Sequence, residues 1–397
     1  MENEFSRDMK ILLITGSFPP MRCGVGDYTH QLALALTRDP LLQVAVLTSR
    51  AAASLESPAG FVLFPIVEAW DWREFRTILT VIRAWAPDLV HIQYPTLGYG
   101  QKRLPWLLPL CLRLAGFTVV QTWHEIYPLQ FFFRLLSKAV VPGGLIVVRE
   151  DYRKRTSALL RWAFLNKTMR FIQNSSALPA VELSIAERET LRAQYARPNA
   201  HMIVYFGFLY PRKRVELLFQ IADASDSHLV IIGDSFRESE LQNFTQSNRV
   251  AQNVYYQSLR QLAETDAWRG KVTMSGFLPA HDAARVIAAA DAVVLPILGG
   301  AGEWNTSVHG AQAQGTFVLT TSTNRRGYAP SENTYFAGEH DLEDMRRALK
   351  QYVGKRSVGD NATMRTWESI CESHVELYRI QLLTKTGALL QRTDHSH

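Results

Sequence analysis

A polar loop in the last third of the chain combines the residue types that hold phosphate and sugar groups. Residues 297–307 contain three glycines, the carboxylate Glu303 and the pair Thr306–Ser307, which opens a helical pattern. The loop follows 292–296, a short apolar run typical of a buried parallel strand. Loops at the carboxyl ends of such strands bind ligands, and the free N–H groups of a helix start bind phosphate. The same two hydroxyls are equally suited to capping the helix.

Three consecutive cations, Arg212, Lys213 and Arg214, follow a predicted strand that ends at Tyr205. Cations in this position can bind a phosphate or diphosphate group of a ligand. The alternative is a solvated basic turn that holds no ligand. Lys213 is the residue on which the diphosphate hypothesis mainly depends.

In the first half of the chain, His124 and Glu125 end the strand pattern 118–123. A histidine at the carboxyl end of a strand faces the ligand-binding edge of an open α/β sheet. There it can form a hydrogen bond with a bound ligand or stabilise a charge that develops on it. A single histidine is also common as a purely structural residue, so both interpretations stay open at this point.

Gly24 and Gly26 follow the first predicted strand, and Asp27 and Tyr28 come directly after them. Two glycines let the backbone approach a ligand without interference from Cβ atoms. Their spacing is not that of the GxGxxG dinucleotide motif. The pair therefore predicts either a ligand-binding loop or only a tight turn.

Strand and helix patterns alternate along the chain, which predicts an α/β fold with doubly wound parallel sheets. In the first half, the predicted strands are 10–15, 44–48, 62–65, 89–93, 117–123, 143–149 and 170–174, and the predicted helices are 28–36 and 72–85. In the second half, the predicted strands are 201–205, 229–233, 272–274, 292–295 and 316–320, and a helical pattern covers 366–383.

A chain of 397 residues is longer than one hydrophobic core usually supports, so two domains are expected. The patterns place an N-terminal Rossmann-like domain at 1–190 and a second one at 200–365. The linker is expected at 191–200, and the helical tail at 366–397 is treated separately.

Composition is that of an ordinary globular protein, with 47% apolar and 20% charged residues. The three cysteines have no CxxC or metal-ligand spacing, which fits a reducing cytoplasm. The first ten residues carry no apolar segment typical of a secretory signal. The apolar stretches 104–120 and 131–148 are interrupted by prolines and charges, so neither is expected to span a membrane.

The stretch from Gln101 to Ser175, here called the basic window, holds twelve Lys or Arg residues and three acidic ones. Aromatic residues are interleaved with these charges. A basic, aromatic surface suits an anionic membrane or a lipid-phosphate acceptor, which would place the protein in the cytoplasm at the inner face of a membrane. The alternative is a solvated basic face beside ordinary core aromatics. Nucleic acid is not expected as a partner, because no nucleic-acid motif accompanies the charge.

Two segments carry a resemblance to a known family. GFLPAHDAARVIAAADAVVLP, which begins at Gly276, and ILLITGSFPPMRCGVGDYTHQLALAL, which begins at Ile11, resemble the GT-B glycosyltransferases, family 4 in particular. The resemblance implies two facing Rossmann-like domains with a cleft between them and a C-terminal helix that crosses back to the first domain. It also implies retaining, metal-independent transfer of a hexose from a nucleoside-diphosphate sugar to a glycan or lipid-linked acceptor, as in polysaccharide biosynthesis, with no cofactor.

By this resemblance, roles are expected for residues that match the family's motifs. The expected catalytic residues are His124, Lys213 and Glu303. The expected donor-binding residues are Gly24, Gly26, Arg212, Arg214, Asp234, Phe277, Leu278, Thr306 and Ser307, with Phe277 and Leu278 beside the nucleobase. The expected acceptor-side residues are Asp27, Tyr28, Glu125 and Asn174. Asp234 is equally suited to capping the helix that would follow it.

The chain departs from the family pattern at three positions. Phe208 stands where the family has an arginine, and Gly302 and Gly310 stand where it has two glutamates. Arg212 or Arg214 would have to supply the missing cation, and Glu303 would have to replace the first glutamate. These departures keep two alternatives open: a GT-B protein that binds a sugar nucleotide or a partner without turnover, and a sugar-nucleotide epimerase on the same fold. A phosphorylase would need a pyridoxal-type lysine motif, and none is visible.

Overall fold

Two α/β units make up the described part of this computed structural model. The first unit contains the described residues up to Gln173 and those from 366 onward, and the second contains those from Asn174 to 357. The described residues are 8–54, 60–126, 137–156, 164, 167–235, 246–302, 304–357 and 366–393. Among them, no helix is long and apolar enough to cross a membrane.

The first unit is built on a seven-stranded, fully parallel sheet of order β3-β2-β1-β4-β5-β6-β7. Its strands are β1 Met9–Ile14, β2 Leu42–Ser49, β3 Phe61–Val67, β4 Leu89–Tyr94, β5 Thr118–Trp123, β6 Gly143–Val147 and β7 Lys167–Phe171. Its helices are α1 Gly24–Leu36, α2 Phe75–Trp85, α3 Leu104–Leu114, α4 Tyr152–Arg155 and, from the end of the chain, α11 Trp367–Thr393, with short 3₁₀ turns at Arg50–Ala52 and Leu97–Tyr99.

The C-terminal helix α11 belongs to the core of this first unit. Ile370, Leu377 and Tyr378 are fully buried, and they share an apolar cluster with the α1 residues Leu32 and Leu36. Burial of such side chains stabilises a helix far more than its intrinsic propensity does. The tail is therefore an integral part of the first unit.

The second unit has its own seven-stranded sheet of order β10-β9-β8-β11-β12-β14-β13, parallel except for the antiparallel edge strand β13. Its strands are β8 His201–Phe206, β9 Ser227–Ile232, β10 Val272–Gly276, β11 Ala292–Leu295, β12 Val318–Thr321, β13 Gly327–Ala329 and β14 Thr334–Ala337. Its helices are α5 Ile185–Tyr195, α6 Leu218–Ile221, α7 Gln246–Ala263, α8 Ala280–Ala289, α9 Thr306–Gln312 and α10 Leu342–Tyr352, with 3₁₀ turns at Pro211–Lys213, Val215–Leu217 and Pro330–Glu332.

The segment 174–199 packs with the second unit, whereas the sequence places most of it in the first domain. Val181 N–H donates to Gln314 Oε1 at 3.0 Å, and Arg192 forms an ion pair with Asp291 at 2.7 Å. Asp291 also accepts the backbone N–H of Met202 at 2.7 Å, so this carboxylate joins α5 to the first strand of the second sheet. The segment expected to be a linker, 191–200, is thus the end of α5 and the turn into β8.

The loops after β1 and β4 are fastened to each other in the first unit. These neighbouring strands mark the point where the chain reverses its direction of travel across the sheet. Gly16 N–H donates to Thr96 Oγ1 at 3.0 Å, and Gly98 N–H donates to Ser17 Oγ at 2.7 Å. A Cβ atom added at Gly98 would lie 1.8 Å from the Gly16 carbonyl oxygen, so the approach of the two backbones requires glycine.

We therefore expect Gly98→Ala to lower the free energy of unfolding by about 1–3 kcal/mol, because the new methyl group must push the two loops apart. Gly24→Ala is the matched control, since a Cβ at Gly24 would meet nothing within 4 Å. Urea unfolding of both variants measures the difference. Equal midpoints for the two variants would show that the loops are not held in contact.

Candidate functional site

The ligand-binding edge of the second sheet is centred on the neighbouring strands β8 and β11. The chain moves from β8 to β9 and β10 in one direction and from β11 to β12 and β14 in the other. The carboxyl ends of parallel strands around such a reversal form the usual ligand crevice of open α/β sheets. Leu298 N–H donates to the Arg212 carbonyl at 2.9 Å, so the loops that follow β8 and β11 are joined directly.

Lys213 ends the 3₁₀ turn after β8 and is half-buried. No carboxylate or hydrogen-bond acceptor contacts its amine within the part of the chain that the structure describes, and the nearest ring is that of Tyr210, 5.8 Å from Nζ. Burial lowers the pKa of the amine from 10.5 to about 8. A partly desolvated cation without a protein counter-charge is suited to receive an anion.

The two arginines beside Lys213 differ in solvent exposure and in hydrogen bonding. Arg212 is exposed. Arg214 adopts the left-handed conformation (φ 52°), and its guanidinium donates to the Glu339 carbonyl at 2.6 Å. Glu339 Oε1 in turn accepts the Gly299 N–H at 2.9 Å. Arg214 and Glu339 thus hold three loops together, and Arg212 is the arginine better placed to supply a second cation to a ligand.

Thr306 and Ser307 form the first turn of α9, as expected from the sequence. The preceding Asn305 accepts the Gly302 N–H through Oδ1 at 2.8 Å, so its side chain fastens the loop and does not cap the helix. In the described structure, neither the Thr306 nor the Ser307 hydroxyl has a hydrogen-bond partner. Thr306 is half-buried and Ser307 is 8% exposed, so the Thr306 hydroxyl is the more accessible of the two to a ligand at this edge.

The two glycines that replace the family's glutamates are fixed by packing. A Cβ at Gly310 would lie 2.8 Å from Ser176 Oγ and 2.9 Å from a Leu178 methyl group, and one at Gly302 would lie 2.1 Å from the Trp304 ring. A glutamate at either position would displace these neighbours. Glu303, the expected substitute, lies outside the described residues.

Asn174 contacts the loop after β11, although the sequence places it on the acceptor side of the first domain. It is 8% exposed, and its Nδ2 lies 3.5 Å from the Trp304 carbonyl oxygen. Its Oδ1 is buried with no partner in the described structure. An unpaired buried acceptor costs free energy, and a ligand donor at this edge would remove that cost. Asn174 therefore belongs with the donor-side loops.

The remaining donor-side candidates follow β9 and β10. Gly233 N–H donates to the Gly276 carbonyl at 2.9 Å, which brings the two strand ends together. Asp234 Oδ1 accepts the N–H of Ser235 at 2.8 Å. Phe277 is 54% exposed, and Leu278 packs against the core of the unit. An exposed ring beside an apolar wall is a suitable neighbour for a nucleobase.

In the first unit, His124 is half-buried directly after β5. Its Nε2 lies 3.0 Å from Gln93 Oε1, and its ring lies edge-on to Tyr28 at 4.7 Å. Burial and the nearby His374 lower the pKa of His124 to about 3, so the ring is neutral at physiological pH. The exposed Glu125 follows, and its carbonyl accepts the Tyr152 hydroxyl at 3.3 Å.

The glycine pair lies within α1 and not in a loop before it. The helix begins at Gly24, and its first backbone bond runs from Asp27 N–H to the Cys23 carbonyl at 2.9 Å. Gly26 is packed, since a Cβ there would lie 2.9 Å from the Ser17 carbonyl oxygen, whereas Gly24 is open. Asp27 is half-buried, and burial raises its pKa to about 7.

Tyr28, expected on the acceptor side, is buried with 4% of its surface exposed. Its hydroxyl lies 3.1 Å from His374 Nε2. The side chain therefore supports His124 from within the core, and no ligand reaches it in this conformation.

The basic window is less exposed than its composition suggests. Lys138 is fully buried, with Nζ 3.9 Å from the Tyr94 ring and 4.4 Å from the Trp106 ring. Lys167 is also buried and donates to the Val141 carbonyl at 2.5 Å, and Arg170 is paired with Glu376 at 2.6 Å. Burial lowers the pKa of both lysines, so these two side chains add little to a basic surface, whereas six other Lys or Arg residues of the window are exposed. Residues 127–136 and 157–163 of the window lie outside the described residues.

Residues 200–354 match the family model described as Glycosyl transferases group 1. No curated protein matches the sequence. Sucrose-phosphate synthase from Thermosynechococcus elongatus is similar in structure, with a TM-score of 0.62 and 16% identity over 98% of this chain and 100% of that one. Anabaena HepE in complex with UDP and glucose is also similar, with a TM-score of 0.60 and 14% identity over 97% of this chain and 100% of that one. The catalytic domain of Arabidopsis thaliana starch synthase IV bound to ADP and acarbose has a TM-score of 0.64 and 12% identity over 95% of this chain and 100% of that one.

At these identities the structural similarity establishes the fold alone. The α/β class and the GT-B resemblance predicted from the sequence are therefore confirmed. The roles assigned to single residues and the cleft between the two domains stay predictions.

The unpaired amine of Lys213 leads to a testable prediction about how stability to urea depends on pH. The folded-state pKa of about 8 lies below the ordinary 10.5, so folding disfavours the charged form. That cost is fully present below pH 8 and vanishes as the pH rises above about 10.5. We expect Lys213→Met to raise the urea midpoint at pH 7 and to raise it less at pH 10.

Lys350→Met is the matched control, because Lys350 is exposed on α10 of the same unit. Its urea midpoint should be close to that of the unchanged protein at both pH values. A Lys213→Met variant that is less stable than the Lys350→Met variant at pH 7 would contradict the account of Lys213 as an unpaired cation.

Proposed function

We propose that this protein is a glycosyltransferase that transfers a sugar from a nucleoside-diphosphate sugar to a glycan or lipid-linked acceptor. The match of residues 200–354 to the model of glycosyl transferases group 1 supports the proposal. The observation that carries the proposal is Lys213, a half-buried amine with no described counter-charge at the ligand-binding edge of the second sheet. A diphosphate supplies the missing negative charge. HepE, which shares the fold, has been solved with UDP-glucose.

The chemistry we propose is stabilisation of the leaving group. As the bond from the anomeric carbon to the diphosphate oxygen breaks, negative charge grows on the phosphates. Lys213 and Arg212 offset that charge, and the hydroxyls of Thr306 and Ser307 donate hydrogen bonds to phosphate oxygens. Phe277 and Leu278 lie beside the base. We assign no metal or other cofactor to this step, because these groups supply the charge stabilisation that it requires.

The acceptor groups belong to the first unit in this proposal. His124 faces the sugar from the end of β5, and Asp27 lies in the open first turn of α1 beside Gly24. The acceptor oxygen bonds to the anomeric carbon on the face that the diphosphate leaves, so the configuration is retained, and its proton passes to the departing phosphate. Starch synthase IV, of the same fold, is described with acarbose, an oligosaccharide-like ligand, which favours a glycan acceptor.

One observation favours a second candidate, a protein that binds a sugar nucleotide without turnover. Gly302 and Gly310 replace the family's two glutamates, and the Trp304, Ser176 and Leu178 side chains occupy the space beside them. If Glu303 does not compensate, the donor would bind but its sugar would be poorly oriented. Binding and transfer must therefore be measured separately.

The test is calorimetric titration with UDP, GDP and ADP and their common sugar conjugates. We expect micromolar affinity for one base and a loss of about 10- to 100-fold in Lys213→Met, since a charge-assisted contact is worth about 1.5–3 kcal/mol. The Lys350→Met control should bind like the unchanged protein. No binding to any nucleotide, or equal binding by both variants, would overturn the proposal.

Transfer is then measured with the donor that binds, and the anomeric configuration of the product is read by NMR. A retained configuration supports the mechanism given above. Inverted product would overturn retention, and tight donor binding without any transfer or hydrolysis would favour the second candidate.

A further inference from the structure

A buried chain of polar side chains leads from the C-terminal helix to His124 within the first unit. The Tyr378 hydroxyl lies 2.7 Å from His91 Nδ1, and His91 Nε2 lies 3.2 Å from Gln93 Nε2. Gln93 Oε1 then lies 3.0 Å from His124 Nε2. His91, Gln93 and Tyr378 are all fully buried. Burying these polar side chains is costly unless each of their hydrogen bonds is made. Each group in the series therefore acts either as donor or as acceptor to its neighbour.

The orientation of the Gln93 amide determines which nitrogen of His124 carries the proton. The amide NH₂ and the Thr122 hydroxyl, which lies 2.7 Å away, both donate to His91 Nε2. This nitrogen accordingly accepts, and the His91 proton is on Nδ1, bonded to Tyr378. The amide oxygen can only accept, so His124 must donate from Nε2–H. His124 Nδ1 is then an unprotonated acceptor, and no protein donor reaches it within the described structure.

A second contact from the C-terminal helix acts on the ring of His124 through the side chain of Tyr28. His374 Nδ1 donates to the Ile370 carbonyl at 2.7 Å, which leaves Nε2 to accept the Tyr28 hydroxyl. The Tyr28 ring packs edge-on against His124. Burial lowers the pKa of His91, His124 and His374, so none of the three is cationic at neutral pH.

We propose that Gln93 is a positioning residue that holds His124 as the Nε2–H tautomer, so that Nδ1 accepts a hydrogen bond from a hydroxyl group of a sugar. This inference rests on the proposed function for the identity of its ligand, but the tautomer itself does not depend on that function. A neutral acceptor suits a hydroxyl and not a phosphate.

The direct test is ¹⁵N NMR of the full chain labelled at histidine. We expect His124 to show a protonated, slowly exchanging Nε2 and an unprotonated Nδ1. In Gln93→Met, which keeps the length of the side chain but removes both bonds, the Nε2 proton should exchange rapidly. In Gln93→Glu, whose carboxylate can still accept, the slow exchange should return.

Gln121→Met is the matched control for loss of a buried amide. Gln121 lies on the neighbouring strand β5 and forms hydrogen bonds with Trp123 and the Lys138 carbonyl. Among the described residues, it makes no hydrogen bond with any of the three histidines. It should lower stability as Gln93→Met does while leaving the His124 spectrum unchanged. A wild-type His124 protonated on Nδ1, or a His124 spectrum that is the same in Gln93→Met as in the unchanged protein, would overturn the proposal.

Kinetics provide the second measurement. We expect Gln93→Met to lower kcat about tenfold or more with little change in nucleotide affinity, and Gln121→Met to leave kcat nearly unchanged. Equal losses of kcat in the two variants would show that Gln93 acts only through stability. Should the protein transfer no sugar, the proposed function fails, and the NMR measurement alone still decides the tautomer.

Discussion

The common direction of the strands in a parallel sheet is the constraint on which the rest of this structure depends. All parallel strands end at one edge, and the chain leaves a gap between loops where its crossovers diverge. In the second unit this occurs between β8 and β11, and the loops that carry Lys213 and Ser307 leave from these two strands. In the first unit the corresponding loops, after β1 and β4, are joined by Gly16, Thr96 and Gly98. In both units, therefore, hydrogen bonds join the two loops that leave the sheet at this reversal.

The two units differ in how their buried ionisable groups are compensated. The second unit carries Lys213 half-buried without a described counter-charge, so its binding edge is suited to an anion. In the first unit, the buried histidines have lowered pKa values and are therefore neutral at physiological pH. Its buried lysines contact aromatic rings or backbone carbonyls. Buried charges are tolerated only where partners or ligands compensate them.

Much of the fold could be predicted from the sequence, because buried parallel strands are short apolar runs that end in glycine or polar residues. Because ligand-binding residues lie at the carboxyl ends of parallel strands, the sequence also indicated His124, Lys213 and Thr306 as candidate site residues. The hairpin of β13 and β14 and the helices α7 and α10 were not predicted, since their patterns are short or largely polar. The contributions of Gln93, Glu339 and Trp304 depend on contacts between distant segments, and no local pattern indicates them. The start of α1 at Gly24 was obscured because glycine is a poor helix former.

The measurement that tests the central claim most directly is an NMR titration of the Lys213 amine, with and without inorganic pyrophosphate. The account predicts a pKa near 8 in the free protein and a higher value when pyrophosphate is bound, because the anion stabilises the charged form. A pKa close to 10.5 that pyrophosphate does not change would contradict it. In that case Lys213 would be an ordinary solvated lysine, and the anion site would have to lie elsewhere.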